Sequence, residues 1–245
     1  MSLPEIDVLF YGFPGKGSNT YLGWSTIALL KSEGKKVLVD TGGSGARPML
    51  LEALEERGLR PYDIDYVFLT HLHFDHIANI NLFPHATFIL SRKEWEYANT
   101  RDDLFVMEGS LPLLRSFKKR LVEIDGEELL PGITCLHTPG HTPGCLSLVV
   151  DMKEKGRWVI AGDAIKNRQE LRSGEVGMTL EAETSNRTIQ GVRKMASRVL
   201  PGHDCWLTIE NEEVRPEMEN EVVITLPEGI TINGVGAISL KLDNN

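Results

Sequence analysis

Short apolar runs bounded by Gly, Pro or Asp recur along the chain and predict strands over residues 6–13, 20–30, 35–43, 65–70, 86–90, 132–138, 145–150 and 157–163. Between them the apolar positions take helical spacing. Leu50, Leu51 and Leu54 share one face of a helix over 47–58 that Gly58 stops, and 92–98, 111–120 and 185–199 read as further helices. Strands in runs with helices interspersed predict an α+β protein whose mixed sheets are layered with helices, rather than a strictly alternating parallel fold. From residue 211 the chain turns Glu-rich and then apolar again over 221–242. We therefore expect a main domain over 1–210, and over 211–245 an acidic connector with a C-terminal β extension packed on that domain, since so short a segment cannot make its own core.

Composition narrows the partners. The chain has 245 residues, 41% hydrophobic, and 26 Lys and Arg against 35 Asp and Glu for a formal charge of −9. That sign opposes binding to a phosphate backbone, so no nucleic-acid partner is expected. No stretch approaches a membrane span, and the N-terminal residues lack the basic and apolar regions of a secretion signal. Cys135, Cys145 and Cys205 are odd in number and have no CxxC spacing. They read as small buried hydrophobes of a cytoplasmic protein that does without membrane or disulfides.

The histidines carry the chemistry. Five of the seven fall in three short contexts: His71, His73 and His76 in THLHFDH, His141 in TPGHTPG and His203 in LPGHD. THLHFDH leaves the end of an apolar strand, where side chains converge on an opening. Imidazole and carboxylate are common zinc donors, and Asp75 beside His76 supplies both kinds within six residues, enough for two neighbouring ions. Asp163 follows the apolar run RWVIAG, where an unpaired carboxylate is costly unless it caps, pairs or binds metal. Asp40, in VDTGG, reads as a structural or supporting carboxylate, and His85 and His137 as structural.

Taken in this order, THLHFDH, the His of TPGHTPG, the Asp of AGDA and the His of LPGHD resemble the metallo-β-lactamase-fold hydrolase superfamily, and SNTYL and VDTGG match its N-terminal strands. The resemblance implies a four-layer αβ/βα sandwich: two mixed sheets face to face, helices outside, and a metal site at one edge. It also implies that His71, His73 and His141 bind one ion and that Asp75, His76 and His203 bind a second, with Asp163 bridging. Two divalent ions are expected, zinc first, with iron or manganese accepted by the same donors. A water shared by two cations would be hydroxide near neutral pH, which suits attack on the carbonyl of an ester, lactone or thioester in a small-molecule substrate.

Within the superfamily the lactonase and glyoxalase-II-like branches resemble the chain most, although the lactonase pattern has Tyr where Lys166 stands here, and two glycines where Ala78 and Asn79 follow the cluster. Asp75, Asp163 and Lys166 are the expected catalytic residues, with Arg168 assisting Lys166 toward a substrate carboxylate or oxyanion. The alternatives are a mononuclear-iron sulfur dioxygenase-like oxidoreductase and a phosphodiesterase of the same fold. Residues 100–118, with Phe105, Met107, Leu111, Leu113 and Phe117, are expected to line an apolar pocket, to form a homodimer contact, or simply to pack on the sheet.

Overall fold

The computed structural model describes residues 3–100 and 103–243. The first sheet is built from β1 (Glu5–Phe10), β2 (Ile27–Ser32), β3 (Lys35–Val39), β4 (Tyr66–Phe68), β5 (Thr87–Ser91) and β6 (Lys119–Val122), adjacent in that order. β1 to β3 pair antiparallel, and β3 to β6 pair parallel. Its helices are α1 (Arg47–Glu55), α2 (Phe74–Ile77), α3 (Arg92–Thr100) and α4 (Leu111–Ser116).

The second sheet contains β7 (Glu128–Leu130), β8 (Ile133–His137), β9 (Leu146–Asp151), β10 (Arg157–Gly162), β11 (Arg198–Pro201), β12 (Leu207–Glu210) and β13 (Glu213–Pro216), again in chain order. In this sheet β10 and β11 run parallel, joined by a crossover through α5 (Arg168–Ser173) and α6 (Ala182–Met195).

Alternation along the strands sorts the side chains into layers. Ala28, Leu30, Val37, Val39, Phe68 and Ile89 of the first sheet meet Ile133, Leu146, Leu148, Val150 and Ile160 of the second in one buried core. The opposite face of the first sheet, with Leu29, Leu38, Val67 and Phe88, packs on Leu50 and Leu54 of α1 and Leu114 of α4. Val149, Val159, Ala161 and Val199 cover the outer face of the second sheet with Leu171 of α5 and Ile189 and Val192 of α6. The result is the expected α+β sandwich of helix, sheet, sheet and helix.

Several element boundaries differ from expectation. The helix expected over 111–120 ends at Ser116, and Lys119 and Arg120 begin β6 on the sheet edge. The helix expected over 185–199 starts at Ala182 and stops at Met195, because Arg198 and Val199 join β11 beside β10. Residues 20–24 are not continuous with β2. They fold back on 13–16 through bridges from Phe13 to Trp24 and from Lys16 to Tyr21, which makes a flap over the strand ends.

Part of the Glu-rich stretch after 211 is itself a strand, since β13 pairs with β12. Beyond it, β14 (Glu221–Thr225) and β15 (Ala237–Lys241) form a separate two-stranded sheet. Its Val223 is exposed, and Arg168 Nη1 donates to the carbonyls of Leu242 and Asp243 at 3.3 Å each. Among the described residues no helix is long and apolar enough to cross a membrane.

Candidate metal centre

Both sheets deliver their functional residues to the same edge. β4 ends at Phe68 and the chain turns through His71 and His73 into α2, which carries Asp75 and His76. The turn after β8 carries His141, the end of β10 gives Asp163, and the end of β11 gives His203. All seven expected donors converge there.

Ligand atoms of His71, His73 and His141 lie within 4.8 Å of one another, as do those of Asp75, His76 and His203, and those of His71, His76 and Asp163. Asp163 faces both outer groups. Its Oδ2 is 3.4 Å from His141 Nε2, while Oδ1 is 3.3 Å from His76 Nε2 and 3.2 Å from His203 Nε2. Gly202 makes room for it, since a Cβ there would stand 2.0 Å from Asp163 Oδ1.

The far sides of three of the rings are held by the protein, while His141 Nδ1 is buried without a hydrogen-bond partner among the described residues. His76 Nδ1 is 2.7 Å from Asp40 Oδ2, His71 Nδ1 is 3.0 Å from Thr70 Oγ1, and His203 Nδ1 is 2.8 Å from the Trp24 carbonyl. Thr70 Oγ1 donates in turn to Asp40 Oδ2 at 2.8 Å. Protons on these Nδ1 atoms leave each Nε2 as a lone-pair donor turned inward, the arrangement that orients histidine on a metal. His73 is turned the other way round: Nε2 meets Asp103 Oδ2 at 3.3 Å, and Nδ1 lies 3.0 Å from His141 Nε2.

The residues present fit a metal. His71 Nε2, His76 Nε2 and Asp163 Oδ1 are buried, point into the cluster and have no hydrogen-bond partner, a costly state unless a cation satisfies them. His137 Nε2 shares that state outside the site.

Electrostatics divides the cluster. Burial, aided by the neighbouring imidazoles, holds His71 far below the usual histidine pKa; burial also lowers His73, and it pushes His141 down to about 3. These three are neutral donors. Burial opposes charge on His76 and His203 too, but the carboxylates of Asp75, Asp40 and Asp163 outweigh it on His76, and those of Asp163 and Asp75 on His203, so both pKa values rise. Asp163, despite its burial, is held well below the carboxylate range by His203, His76 and His141. The second group thus draws positive charge toward its carboxylates, and a divalent cation answers the same demand.

Two supporting acids have no counterpart among the residues expected from sequence. Glu94 of α3 is buried and accepts from Leu72 N at 3.0 Å and from Thr142 Oγ1 at 2.6 Å, clamping the loop of His71 and His73 to the loop of His141. Burial pushes its pKa up to about 7. Asp103 accepts from Tyr97 Oη at 2.7 Å and from Phe105 N at 2.9 Å as it faces His73. One of two Glu in RKEWEYA and one of two Asp in TRDD carry no distinguishing sequence signal.

A cavity of about 700 Å³ opens over the centre. One wall is aromatic: Tyr21 packs edge-on against Phe105 at 5.7 Å, and both rings approach Phe74. Met178 and Leu180 line it from the crossover between α5 and α6. Of residues 100–118, Phe105 reaches this wall, whereas Leu111 and Leu114 are buried in the core and Phe117 stacks on Phe88; Arg101 and Asp102 lie outside the described residues.

Lys166 lines the cavity, but its ammonium is engaged, 2.9 Å from Glu170 Oε1 and 3.0 Å from the Met178 carbonyl. Arg168 does not assist it. Its guanidinium is buried on Asp204, at 2.8 Å from Oδ2 and 2.7 Å from Oδ1, because an arginine so enclosed needs a carboxylate partner. His85 packs at a tilt against Tyr62, away from the cluster.

Comparison with known proteins agrees with this architecture. The family model described as the metallo-beta-lactamase superfamily matches residues 22–206. A metallo-beta-lactamase domain-containing protein 1 from Xenopus laevis is 31% identical over 203 residues, covering 81% of this chain and 79% of its own. An N-acyl homoserine lactonase from Bacillus cereus is 28% identical over 203 residues, covering 72% of this chain and 79% of its own. Among solved structures, an N-acyl homoserine lactone hydrolase with N-hexanoyl-L-homoserine at its catalytic metal centre superposes with a TM-score of 0.67 at 22% identity, over 83% of this chain and 94% of the other.

Proposed function

Since this chain belongs to the metallo-β-lactamase superfamily and is a metallo-hydrolase, we propose that it uses two divalent ions, zinc first, to hydrolyse an ester, lactone or thioester of a small molecule with an apolar portion. The observation that carries the reading is Asp163, whose two carboxylate oxygens face opposite donor groups on the floor of an aromatic-walled cavity. Bound ions would supply Lewis acidity, lowering the pKa of water and polarising a carbonyl.

The chain's own residues do the rest. His71, His73 and His141 would hold one ion, and Asp75, His76 and His203 the other, with Asp163 shared. Histidines and a shared carboxylate, with no thiolate to close the set, would let a bound ion take up a further ligand, as a catalytic site requires. Asp75 and Asp163 fix charge where the attacking oxygen arrives. Tyr21, Phe74 and Phe105 take the apolar part of the substrate and exclude water from that side. Lys166, with its charge balanced by Glu170, shapes the opposite side and holds Met178 in place.

The test is a panel of lactones, carboxylic esters, thioesters and phosphodiesters assayed with the zinc-loaded protein before and after chelation. Chelator-sensitive hydrolysis of a carbonyl substrate is expected. Hydrolysis of phosphodiesters alone, or oxygen uptake with the iron-loaded protein and no hydrolysis, would replace this reading.

A further inference from the structure

The charges around the cavity are unevenly committed. Asp75, Asp163 and Asp103 belong to the donor cluster or its supports, and Glu170 is tied to Lys166. Among the described residues the remaining cation of the lining is Lys16, which is exposed; its ammonium lies against the face of the Tyr21 ring, 5.5 Å from the centroid. Lys16 is also well placed. The flap that carries it is closed by hydrogen bonds from Gly17 N to the Thr20 carbonyl at 2.8 Å and from Leu22 N and Gly23 N to the Gly15 carbonyl at 3.1 and 3.0 Å. The arms close this tightly because Gly23 has no side chain: a Cβ there would stand 2.8 Å from the Phe13 carbonyl oxygen.

We propose that Lys16 is a specificity residue that engages an anionic group of the substrate, a carboxylate or equivalent, at the cavity mouth while the apolar part lies on Tyr21, Phe74 and Phe105. The inference rests on the hydrolase reading above and assigns the anion-recognising charge to the flap rather than to Lys166. A chain of formal charge −9 repels anions at long range, so a cation beside its opening that is paired with no carboxylate among the described residues biases which anions enter. Tyr21 holds the ammonium over the same wall that receives the apolar group.

The test compares an apolar hemiester bearing a free carboxylate with its neutral methyl diester of equal length, in the parent, Lys16→Met, Lys16→Arg and Lys166→Met. Because Lys16 is exposed, Lys16→Met should raise KM for the anionic ester about three- to fivefold, leaving kcat and the neutral ester unchanged. Lys16→Arg should restore the parent KM, and added salt should raise the anionic KM in the parent and Lys16→Arg but not in Lys16→Met. Equal KM changes on both esters, or a selective loss in Lys166→Met instead, would overturn the assignment.

Calorimetry with the non-hydrolysable amide isosteres, one ending in a carboxylate and one in a primary amide, reads the same preference by binding to the zinc-loaded protein. If no lactone, ester or thioester of the panel is cleaved but Lys16→Met selectively weakens the carboxylate isostere, the hydrolase reading fails and this one stands. If the isosteres are unaffected by Lys16→Met, the assignment fails whatever the protein hydrolyses.

Discussion

Asp40 Oδ2 lies 2.7 Å from Nδ1 of His76, and both side chains are buried beneath the second donor group. Asp40 holds this position with a left-handed backbone, φ +58°, which Asn adopts as readily as Asp. Asp40→Asn should therefore preserve the fold while weakening the hold on the imidazole. Metal affinity should fall roughly 10- to 100-fold, measured by competition with a chromogenic chelator. Parent-like affinity would mean that the carboxylate serves only Thr70.

Asp163 should be indispensable to both donor groups at once. Elemental analysis of the parent is expected to give about two ions per chain, because the donors exceed the four of a single structural zinc. Asp163→Ala should lower that stoichiometry and abolish most hydrolysis, and His71→Ala should do likewise. Full activity of the parent in excess chelator would refute the metal mechanism.

Glu94 predicts a pH dependence of stability. Its pKa is raised by burial to about 7 from the ordinary 4.5, so between those values the folded state keeps a proton that the unfolded chain has released. Stability should then fall as pH rises from 4.5 to 7 and level off above, by roughly 3 kcal/mol in all. Glu94→Gln removes the titration, so denaturant unfolding at about pH 5 and pH 8 should show the variant gaining on the parent at the higher pH. A constant difference between the two proteins would show that Glu94 does not titrate in this window.

Lys166→Met removes the partner of the buried Glu170 carboxylate. Destabilisation of about 3 kcal/mol is expected, the usual order for stranding one member of a buried pair. Hydrolysis of neutral and anionic substrates should decline together, because the ammonium is engaged within the protein. Thermal unfolding and paired kinetics would show this, and an unchanged melting temperature would make the ion pair dispensable.

The donor set is legible in the sequence because histidines confined to Gly-, Pro- and Asp-flanked strand ends have few other uses. Their convergence is less so: nothing local shows that the turns after β4, β8, β10 and β11 open on one edge, which depends on the order of strands in two sheets. Glu94 is invisible for a different reason. Its role comes from accepting hydrogen bonds from Leu72 and Thr142, residues 22 and 48 positions away along the chain. The short distance from Asp163 to Lys166 puts the lysine at the cavity, but the carboxylate that occupies it sits one helical turn further on, at Glu170, which in sequence is only one charge of a charged stretch.

The donors also have an order in time. His71, His73 and His141 are all present once synthesis has passed residue 141, whereas His203 arrives only after the crossover helices and β11. A ribosome releasing this chain from its N-terminus exposes the three-histidine group well before the group completed by His203. Asp163, the carboxylate proposed to be shared, is made between them, so products truncated between residues 163 and 203 carry the first set of ligands whole and the second without His203.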